Sequence, residues 1–330
     1  MLKLNYSIKH WTFVEPFIIA RGSDDYHESV IVTLTDELGH SGRGETCGVD
    51  YHGETIESIC RQIEANRPRV EAGIDREALA QLLPAGGARN GLDCALWDLH
   101  CRRNNRSVWT ETGITPGEST DTAYTIGIVG AAHAGELATK FKAYQTIKIK
   151  ADKQGALETI ANVRRLRPDA RIIVDANQSW DSQCFGQFEA SLIESDISLL
   201  EQPFPVGQDA SLADYQGPLK IAADESAQTS ADLPGLVGKY DVINIKLDKT
   251  GGLTEALHLA RRSVEMGFGL MVGNMCGSSL AMAPGYVIAQ LCDYIDLDGP
   301  LLQNEDVDPG LIYSAGRIFP STSGGLWAGI

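Results

Sequence analysis

Short apolar segments recur along the C-terminal two thirds of this chain of 330 residues, at intervals of roughly 20 to 27 residues. Each of them is expected to be followed by a helical stretch, such as residues 157–166 and 253–266. Eight such units predict an α/β fold, a (β/α)7-8 barrel of the TIM type, rather than an open sheet. The predicted strands comprise residues 122–128, 146–150, 171–175, 198–201, 219–223, 242–246, 269–272 and 294–298.

Charged side chains stand where these apolar strands end. In a (β/α) barrel, the C-terminal ends of all strands converge on one mouth, so residues far apart in the sequence share one pocket. The sequence therefore predicts one active-site cluster from the following residues: Lys150, Asp175, Glu201, Asp224, Lys246 and Asp298.

The first third of the chain follows a different pattern. Residues 8–16, 28–36 and 42–46 are interpreted as strands, with a turn at residues 37–39 between the last two, which predicts an antiparallel meander. Residues 54–110 then change to helical spacing of apolar positions. This order predicts a separate small α+β domain before the barrel.

Charge and composition exclude several functional classes. A net charge of -16 and a pI of about 4.8 argue against nucleic-acid and anionic-membrane partners, which such a field would repel. We expect a cytoplasmic protein, because no signal-peptide or transmembrane pattern stands out. The seven cysteines are odd in number and the seven histidines lack metal-binding spacing, which disfavours a disulfide framework and a zinc centre.

Three carboxylates follow three successive predicted strands, Asp175, Glu201 and Asp224. Any one of them alone would be interpreted as a helix cap or a solvated loop charge. Together at one barrel mouth they form an oxygen-rich set of the kind that Mg²⁺ or Mn²⁺ prefers. We therefore predict one Mg²⁺ site per subunit, with Mn²⁺ as the alternative ion.

Lysines flank this predicted metal site. Lys148 and Lys150 share one face of a strand, because side chains alternate with period two, and Lys246 would approach from the opposite wall. Burial beside a cation and beside each other would lower the pKa values of Lys148 and Lys150 and provide a neutral amine that accepts a proton. Removal of an α-proton from one face and its return to the other, through a metal-stabilised enediolate, predicts stereochemical inversion.

Asp296 and Asp298 repeat the same-face spacing with negative charge at the last strand. They would provide a site for a cationic substrate group, such as an α-ammonium.

With these motifs the chain resembles the enolase superfamily, and within it the dipeptide epimerases of the L-Ala-D/L-Glu epimerase type. The resemblance covers essentially the whole chain and implies an enolase-like N-terminal capping domain over residues 1–115. It implies a barrel with the active site over residues 116–310, and a segment, residues 311–330, that returns to the capping domain.

The resemblance also implies roles for individual residues. Lys150 and Lys246 match the two acid/base lysines, and Lys148 the lysine near the substrate carboxylate. Asp175, Glu201 and Asp224 match the Mg²⁺ ligands. Asn177 and Glu225 would orient those ligands and balance charge, whereas Lys249 is interpreted as loop structure.

Asp296 and Asp298 are similar to the pair that holds the N-terminal ammonium of a dipeptide. Residues 16–22, within a specificity loop near 16–27, resemble a mobile loop that closes on the substrate. Arg21 in this loop would bind a glutamate side chain. The implied reaction is epimerisation of L-Ala-L-Glu to L-Ala-D-Glu, and the implied setting is peptidoglycan recycling.

Other functions stay open. An N-acylamino acid racemase, an o-succinylbenzoate synthase or a cycloisomerase would keep the metal and the lysines without binding an ammonium group. A dipeptide epimerase with another side-chain specificity, a catalytically silent dipeptide-binding barrel and a zinc hydrolase are further alternatives. Barrels of this type often associate, so a homo-oligomer is compatible with the sequence.

Overall fold

The N-terminal part of the chain is an antiparallel sheet covered on one face by helices. In the computed structural model, which describes residues 1–321 and 325–330, the sheet contains β1 (Leu2–Ile19), β2 (Gly22–Asp36) and β3 (Ser41–Thr46). Period-two burial explains the strands, since Val30, Val32 and Leu34 are fully buried in β2. The helices are α1 (Ile56–Glu71), α2 (Arg76–Leu82), α3 (Gly87–Asn104) and α4 (Val108–Thr112), with a 3-10 turn at Asp50–His52 before them.

The hairpin of β1 and β2 is longer than the meander predicted from the sequence. Residues 16–27, expected as a loop, belong to these two strands apart from the turn at Ala20 and Arg21. The ladder is irregular between Thr12 and Phe17, where Pro16 cannot donate a backbone hydrogen bond. The predicted specificity loop is therefore the tip of a β-hairpin.

Eight parallel strands follow, in the order expected for a barrel. The two edge strands approach each other, since the amide of Leu297, just after the last strand, donates to Thr122 Oγ1, just before the first, at 3.0 Å. The interior of the barrel is filled by apolar side chains, among which Ile173, Leu199 and Met271 are fully buried. The strands are β5 (Ala123–Ile126), β6 (Thr146–Lys150), β7 (Arg171–Asp175), β8 (Leu199–Glu201), β9 (Ile221–Ala223), β10 (Val242–Ile245), β11 (Gly269–Val272) and β12 (Tyr294–Ile295).

α-Helices alternate with most, but not all, of these strands. Two connections, after β8 and β9, contain only the 3-10 helices Ala210–Asp214 and Ser230–Gly235. Prolines in both connections, among them Pro205 and Pro234, explain why no longer helix forms there. The α-helices are α5 (Ala131–Lys140), α6 (Ala156–Leu166), α7 (Ser182–Glu194), α8 (Leu247–Thr250), α9 (Leu253–Glu265), α10 (Ser279–Ala289) and α11 (Gly299–Leu302).

Residues near the C-terminus contact both parts of the molecule. Strand β14 (Arg317–Phe319) pairs with β13 (Ile312–Ser314) on one side and with β4 (Thr120–Asp121) on the other. Trp327 Nε1 donates to the carbonyl of Cys94 on α3 at 3.0 Å, and the Ala328 amide donates to Asp98 Oδ1 at 2.7 Å. Residues 322–324 of the predicted returning segment lie outside the described residues. No helix of the described chain is long and apolar enough to cross a membrane.

Candidate active site

The charged strand ends predicted from the sequence meet at one end of the barrel. Lys150, Asp175 and Glu201 lie side by side in register on β6, β7 and β8. Asp224 and Lys246 directly follow β9 and β10, and both are buried. The parallel register therefore sets the spacing of these groups.

Two of the predicted acid/base lysines are held by carboxylates. Lys150 Nζ lies 2.7 Å from Asp175 Oδ2, and Lys246 Nζ lies 2.6 Å from Asp224 Oδ2. Strands β6 and β10 are separated by three intervening strands in the eight-stranded sheet, so the two lysines stand on opposite walls. Both side chains line the same cavity.

Lys148 is fully buried and does not line that cavity. Its Nζ lies 3.0 Å from Asp175 Oδ2, 2.8 Å from Glu201 Oε2 and 2.8 Å from Asp296 Oδ2. The structure thus places it between the carboxylates. No group of three His, Cys, Asp or Glu side chains within residues 1–321 and 325–330 is already arranged to hold a metal ion.

Neighbouring carboxylates raise the pKa values of two buried lysines of the site, Lys148 and Lys246. Burial alone would lower the pKa of Lys148, but Asp175, Asp296 and Glu201 raise it well above its usual value. The pKa of Lys246 is also raised, because Asp224 outweighs burial and the repulsion from Lys148. The surrounding carboxylates thus raise the pKa values of these two lysines, whereas the lowered values predicted from the sequence concern lysines beside a bound cation and stay a prediction.

Lys249 belongs to the site, and its interpretation as loop structure was wrong. It is fully buried on the short helix α8, and its Nζ donates to Asp224 Oδ1 at 2.6 Å. It also donates to the carbonyl of Asn244 at 2.8 Å. Asp224 is therefore shared between two lysines, Lys246 and Lys249. The spacing of Lys246 and Lys249, three residues across the start of a helix, was the available signal.

Asp296 and Asp298 lie just beyond β12, which is shorter than the predicted strand 294–298. Thr125 at the end of β5 holds both of them. Its amide donates to Asp298 Oδ2 at 2.6 Å, and its hydroxyl donates to Asp296 Oδ1 at 3.2 Å. Burial and the neighbouring Asp296 raise the pKa of Asp298 to about 7.

Arg21 reaches the site from the turn of the β1–β2 hairpin. Its Nη1 lies 2.9 Å from Glu225 Oε1, and its Nη2 lies 3.5 Å from Asp50 Oδ1. The guanidinium carbon lies 5.2 Å from the ring centre of Tyr51. One cationic side chain of the N-terminal domain is thus brought against the mouth of the barrel.

Several buried oxygens of the site have no hydrogen-bond donor among the described residues, namely Glu201 Oε2, Glu225 Oε2, Asn177 Oδ1 and Asn244 Oδ1. Glu201 Oε2 forms an ion pair with Lys148 Nζ, but the geometry of this contact is not that of a hydrogen bond. Burial and the nearby Asp175 raise the pKa of Glu201 to about 7. The Asn177 amide donates to Asp175 Oδ1 at 2.9 Å, which orients that carboxylate. Unpaired buried oxygens of this kind favour an additional cation at the cluster.

The cavity between the two domains is about 370 Å³, a volume typical of small-molecule sites. Arg21 and Asp24 line it from the N-terminal domain. Lys150, Lys246, Asp298 and other barrel residues line the opposite side. A substrate in this cavity would be enclosed by both domains.

Known proteins resemble the chain over nearly its full length. Residues 3–113 match the mandelate racemase / muconate lactonizing enzyme N-terminal domain, and residues 131–326 match the enolase C-terminal domain-like family. An L-Ala-D/L-Glu epimerase of Escherichia coli K12 is 40% identical over 93% of this chain and 96% of its own. An N-acetyl-D-glutamate racemase of Pseudoalteromonas is 38% identical over 91% of this chain and 95% of its own.

Solved structures agree with this similarity. An enolase family member from Agrobacterium tumefaciens with homology to dipeptide epimerases, with bound sodium and L-Ala-L-Glu, is 39% identical. Its TM-score is 0.96, and the match covers 99% of this chain and 100% of that one. A dipeptide epimerase from Methylococcus capsulatus, complexed with Mg and L-Arg-D-Lys, is 28% identical with a TM-score of 0.88, covering 96% of each of the two chains. The resemblance inferred from the sequence is thereby confirmed, and the chain belongs to the enolase superfamily, with the two domains of its mandelate racemase and muconate lactonizing enzyme group.

Proposed function

We propose that this protein is an isomerase, a Mg²⁺-dependent dipeptide epimerase that inverts the α-carbon of the C-terminal residue. The main reaction is the conversion of L-Ala-L-Glu to L-Ala-D-Glu. The observation that carries this proposal is the pair Lys150 and Lys246 on opposite walls of one cavity. Two amines on opposite sides of one carbon are what an inversion requires.

Asp175, Glu201 and Asp224 would hold the Mg²⁺ ion, with Mn²⁺ as the alternative. The donor chemistry fits, because all three are carboxylates on adjacent strand ends and Glu201 Oε2 has no hydrogen-bond donor among the described residues. The Mg ion reported with the related Methylococcus capsulatus epimerase supports this assignment. When bound, the ion would supply positive charge that stabilises the enediolate formed from the substrate carboxylate.

Lys150 and Lys246 would exchange roles between the two directions of the reaction. The neutral amine of one accepts the α-proton and becomes an ammonium, while the ammonium of the other gives a proton to the opposite face. Asp175 and Asp224 fix the Nζ atoms of these lysines at 2.7 and 2.6 Å. Such positioning keeps both amines directed at one carbon.

Charged groups at two ends of the cavity would select the dipeptide. Asp296 and Asp298 would bind its N-terminal ammonium, and Arg21 would bind the side-chain carboxylate of glutamate. Arg21 is now paired with Glu225, so substrate binding would exchange one carboxylate partner for another. Lys148 would hold Asp175, Glu201 and Asp296 in place through its buried ammonium.

A second candidate is racemisation of an N-acylated glutamate. The relative from Pseudoalteromonas, an N-acetyl-D-glutamate racemase, favours this alternative. Such a substrate keeps the carboxylates for Arg21 and the metal but lacks the ammonium for Asp298. The acidic pair, buried and lining the cavity, is the reason that we prefer the dipeptide.

The deciding experiment is ¹H NMR of the purified enzyme with Mg²⁺ in D₂O. L-Ala-L-Glu, L-Ala dipeptides with other C-terminal residues, and N-acetyl-L-glutamate would be compared, with EDTA as the metal control. We expect metal-dependent loss of the C-terminal α-proton signal and appearance of the L,D diastereomer, fastest for L-Ala-L-Glu. If only N-acetyl-L-glutamate exchanged its α-proton, the protein would be an N-acylamino acid racemase and not a dipeptide epimerase.

The biological setting proposed here is the recycling of peptidoglycan-derived dipeptides in the cytoplasm. It rests on the family resemblance and on the preference for glutamate that Arg21 implies. Growth of the source organism on L-Ala-D-Glu, which must be epimerised before it is used as an L,L-dipeptide, with and without the gene would test it.

A further inference from the structure

The end of the β1–β2 hairpin is structurally separate from its root. Paired residues run continuously from Leu2–Asp36 to Thr12–Tyr26, and pairing resumes only at Phe17 with Asp24. The segment beyond this interruption, residues 17–24, is called the hairpin tip below. It contains only three paired positions, so few hydrogen bonds tie it to the rest of the hairpin.

The root is attached to the barrel by several contacts. The Asn304 amide donates to the carbonyl of Thr12 at 2.9 Å, and its side-chain amide donates to the carbonyl of Phe13 at 3.0 Å. His27 Nε2 lies 2.9 Å from Gln303 Oε1. The hairpin is thus anchored up to the interruption, and motion of the tip alone would not disturb the anchor.

The tip meets the barrel at the loop after β5. The Ile128 amide donates to the carbonyl of Ile18 at 2.7 Å. Gly127 faces the same peptide group so closely that an added Cβ would lie 2.9 Å from Ile18 O and 3.2 Å from Ile18 N. The tip can therefore rest in this position only if residue 127 lacks a side chain.

This requirement is steric and not conformational. Gly127 is not among the residues of this protein with positive φ, so alanine adopts its backbone conformation without strain. Replacement by alanine would act on the contact with Ile18 alone.

The contact lies between the two substrate-recognition elements. Thr125, two residues before Gly127, holds Asp296 and Asp298. Arg21, three residues after Ile18, lies at the turn of the tip and contacts Glu225. The position of the tip on the end of β5 therefore sets the distance between Arg21 and the acidic pair.

We propose that Gly127 and Ile128 form the seat on which the hairpin tip closes, and that this seat positions Arg21 over the cavity. Gly127 and Ile128 are positioning residues, acting on the substrate only through the tip. The identity of the substrate rests on the function proposed above, but closure of the tip on its seat does not.

The test compares Gly127→Ala with Gly130→Ala. Gly130 lies in the same loop with φ of -59°, and an added Cβ there would meet no atom within 4 Å. In Gly127→Ala we expect the KM for L-Ala-L-Glu to rise at least about tenfold, because Arg21 is displaced from the substrate. In Gly130→Ala both kcat and KM should stay within about twofold of the wild-type values, because the added methyl group would contact no atom.

Limited trypsin digestion gives a readout independent of turnover. Cleavage after Arg21, identified by mass spectrometry, should be several-fold faster in Gly127→Ala than in Gly130→Ala and the wild type, since the open tip is the cleavable state. Equal cleavage rates would overturn the proposal. Failure of the wild type to turn over any dipeptide would overturn the proposed function but leave this comparison valid.

If Gly127→Ala does not fold, hydrogen exchange of the wild type tests whether the tip rests on the seat. The Ile128 amide should be protected, with an exchange rate like that of the paired amides in the tip, because both report the same opening. A freely exchanging Ile128 amide would show that the tip does not rest on this seat.

Discussion

Asp296 and Asp298 differ in how fully the protein itself occupies their oxygens. Lys148 Nζ lies 2.8 Å from Asp296 Oδ2, and Thr125 donates to Asp296 Oδ1. Asp298 Oδ1 has a weaker contact, with Asn274 Nδ2 at 3.5 Å. Asp298 is therefore better placed to accept a hydrogen bond from a substrate ammonium, and the two residues should respond differently to mutation.

Asp298→Asn should raise the KM for L-Ala-L-Glu by about 10- to 100-fold, the value of a lost charge-assisted hydrogen bond. Inhibition by N-acetyl-L-glutamate should change little, since that ligand has no ammonium. Asp296→Asn should mainly lower kcat, because Lys148 loses a buried partner next to the proposed metal ligands. Steady-state kinetics with both ligands checks this, and equal effects of the two variants would contradict the division of roles.

Lys150 and Lys246 should each serve one substrate configuration. Lys150→Arg and Lys246→Arg keep the charge but remove an amine that can accept a proton, so epimerisation should fall by about 10²- to 10⁴-fold. Each variant should still exchange the α-proton of one diastereomer in D₂O. The diastereomer that exchanges should differ between the two variants, which ¹H NMR of both variants would show. Exchange of the same diastereomer in both would indicate a mechanism with one base.

At the scale of single residues, the sequence predicted which groups meet but not how they pair. Strand-end position brought Lys150, Asp175 and Glu201 together, because parallel register alone aligns them. The pKa of Lys148 could not be deduced in the same way, since it depends on carboxylates from three other strand ends. Lys249 was missed because it lies on a helix after the strand, where no alternation pattern applies.

At the scale of elements, repeated apolar strands were sufficient to predict the barrel. The expectation of an α-helix after each strand was wrong for two connections, because prolines such as Pro205 and Pro234 leave only 3-10 helices there. The hairpin tip was also missed. Pro16 directly precedes it, and Gly22 and the adjacent acids Asp24 and Asp25 lie within it or at its end, which favours a loop. The structure instead pairs Phe17 with Asp24 and packs Ile18 against Gly127.

The junction of α3 and α9 should make stability depend on pH. Asp93 on α3 accepts hydrogen bonds from the Thr254 amide and hydroxyl on α9, at 3.0 and 2.6 Å. Burial raises its pKa to about 6 despite these bonds. The folded state therefore retains this proton at a pH where the unfolded chain has lost it, so the free energy of unfolding should fall as pH rises from about 4 to 6.

Asp93→Asn removes this titration and preserves an acceptor and a donor for Thr254. Relative to the wild type, its free energy of unfolding should improve by up to about 3 kcal/mol between pH 4 and pH 7, following the pKa difference. Urea denaturation of both proteins at several pH values measures the difference. A constant difference across this range would show that Asp93 does not titrate between the two states.

At the scale of the whole molecule, the two domains jointly assemble one charge cluster. Its carboxylates outnumber its cations by one, counting Lys148, Lys150, Lys246, Lys249 and Arg21 against Asp175, Glu201, Asp224, Glu225, Asp296 and Asp298. A divalent ion would change this excess to one positive charge, which suits a substrate with a net charge of minus one, such as L-Ala-L-Glu. The charge of Glu201 is the one most sensitive to a bound cation, since burial and Asp175 raise its pKa to about 7.

Mg²⁺ should therefore stabilise the whole fold through Glu201. At a concentration 100 times its Kd, the ion should add about 2.7 kcal/mol to the free energy of unfolding and raise Tm by roughly 5 °C. Glu201→Gln should abolish this increase without lowering the Tm measured in EDTA, because it removes a buried carboxylate whose ionised form is disfavoured. Glu158→Gln, which changes the same charge on the exposed face of α6, should keep the full increase. Calorimetry of the three proteins with Mg²⁺ and with EDTA measures these shifts, and an undiminished Mg²⁺ effect in Glu201→Gln would place the ion elsewhere.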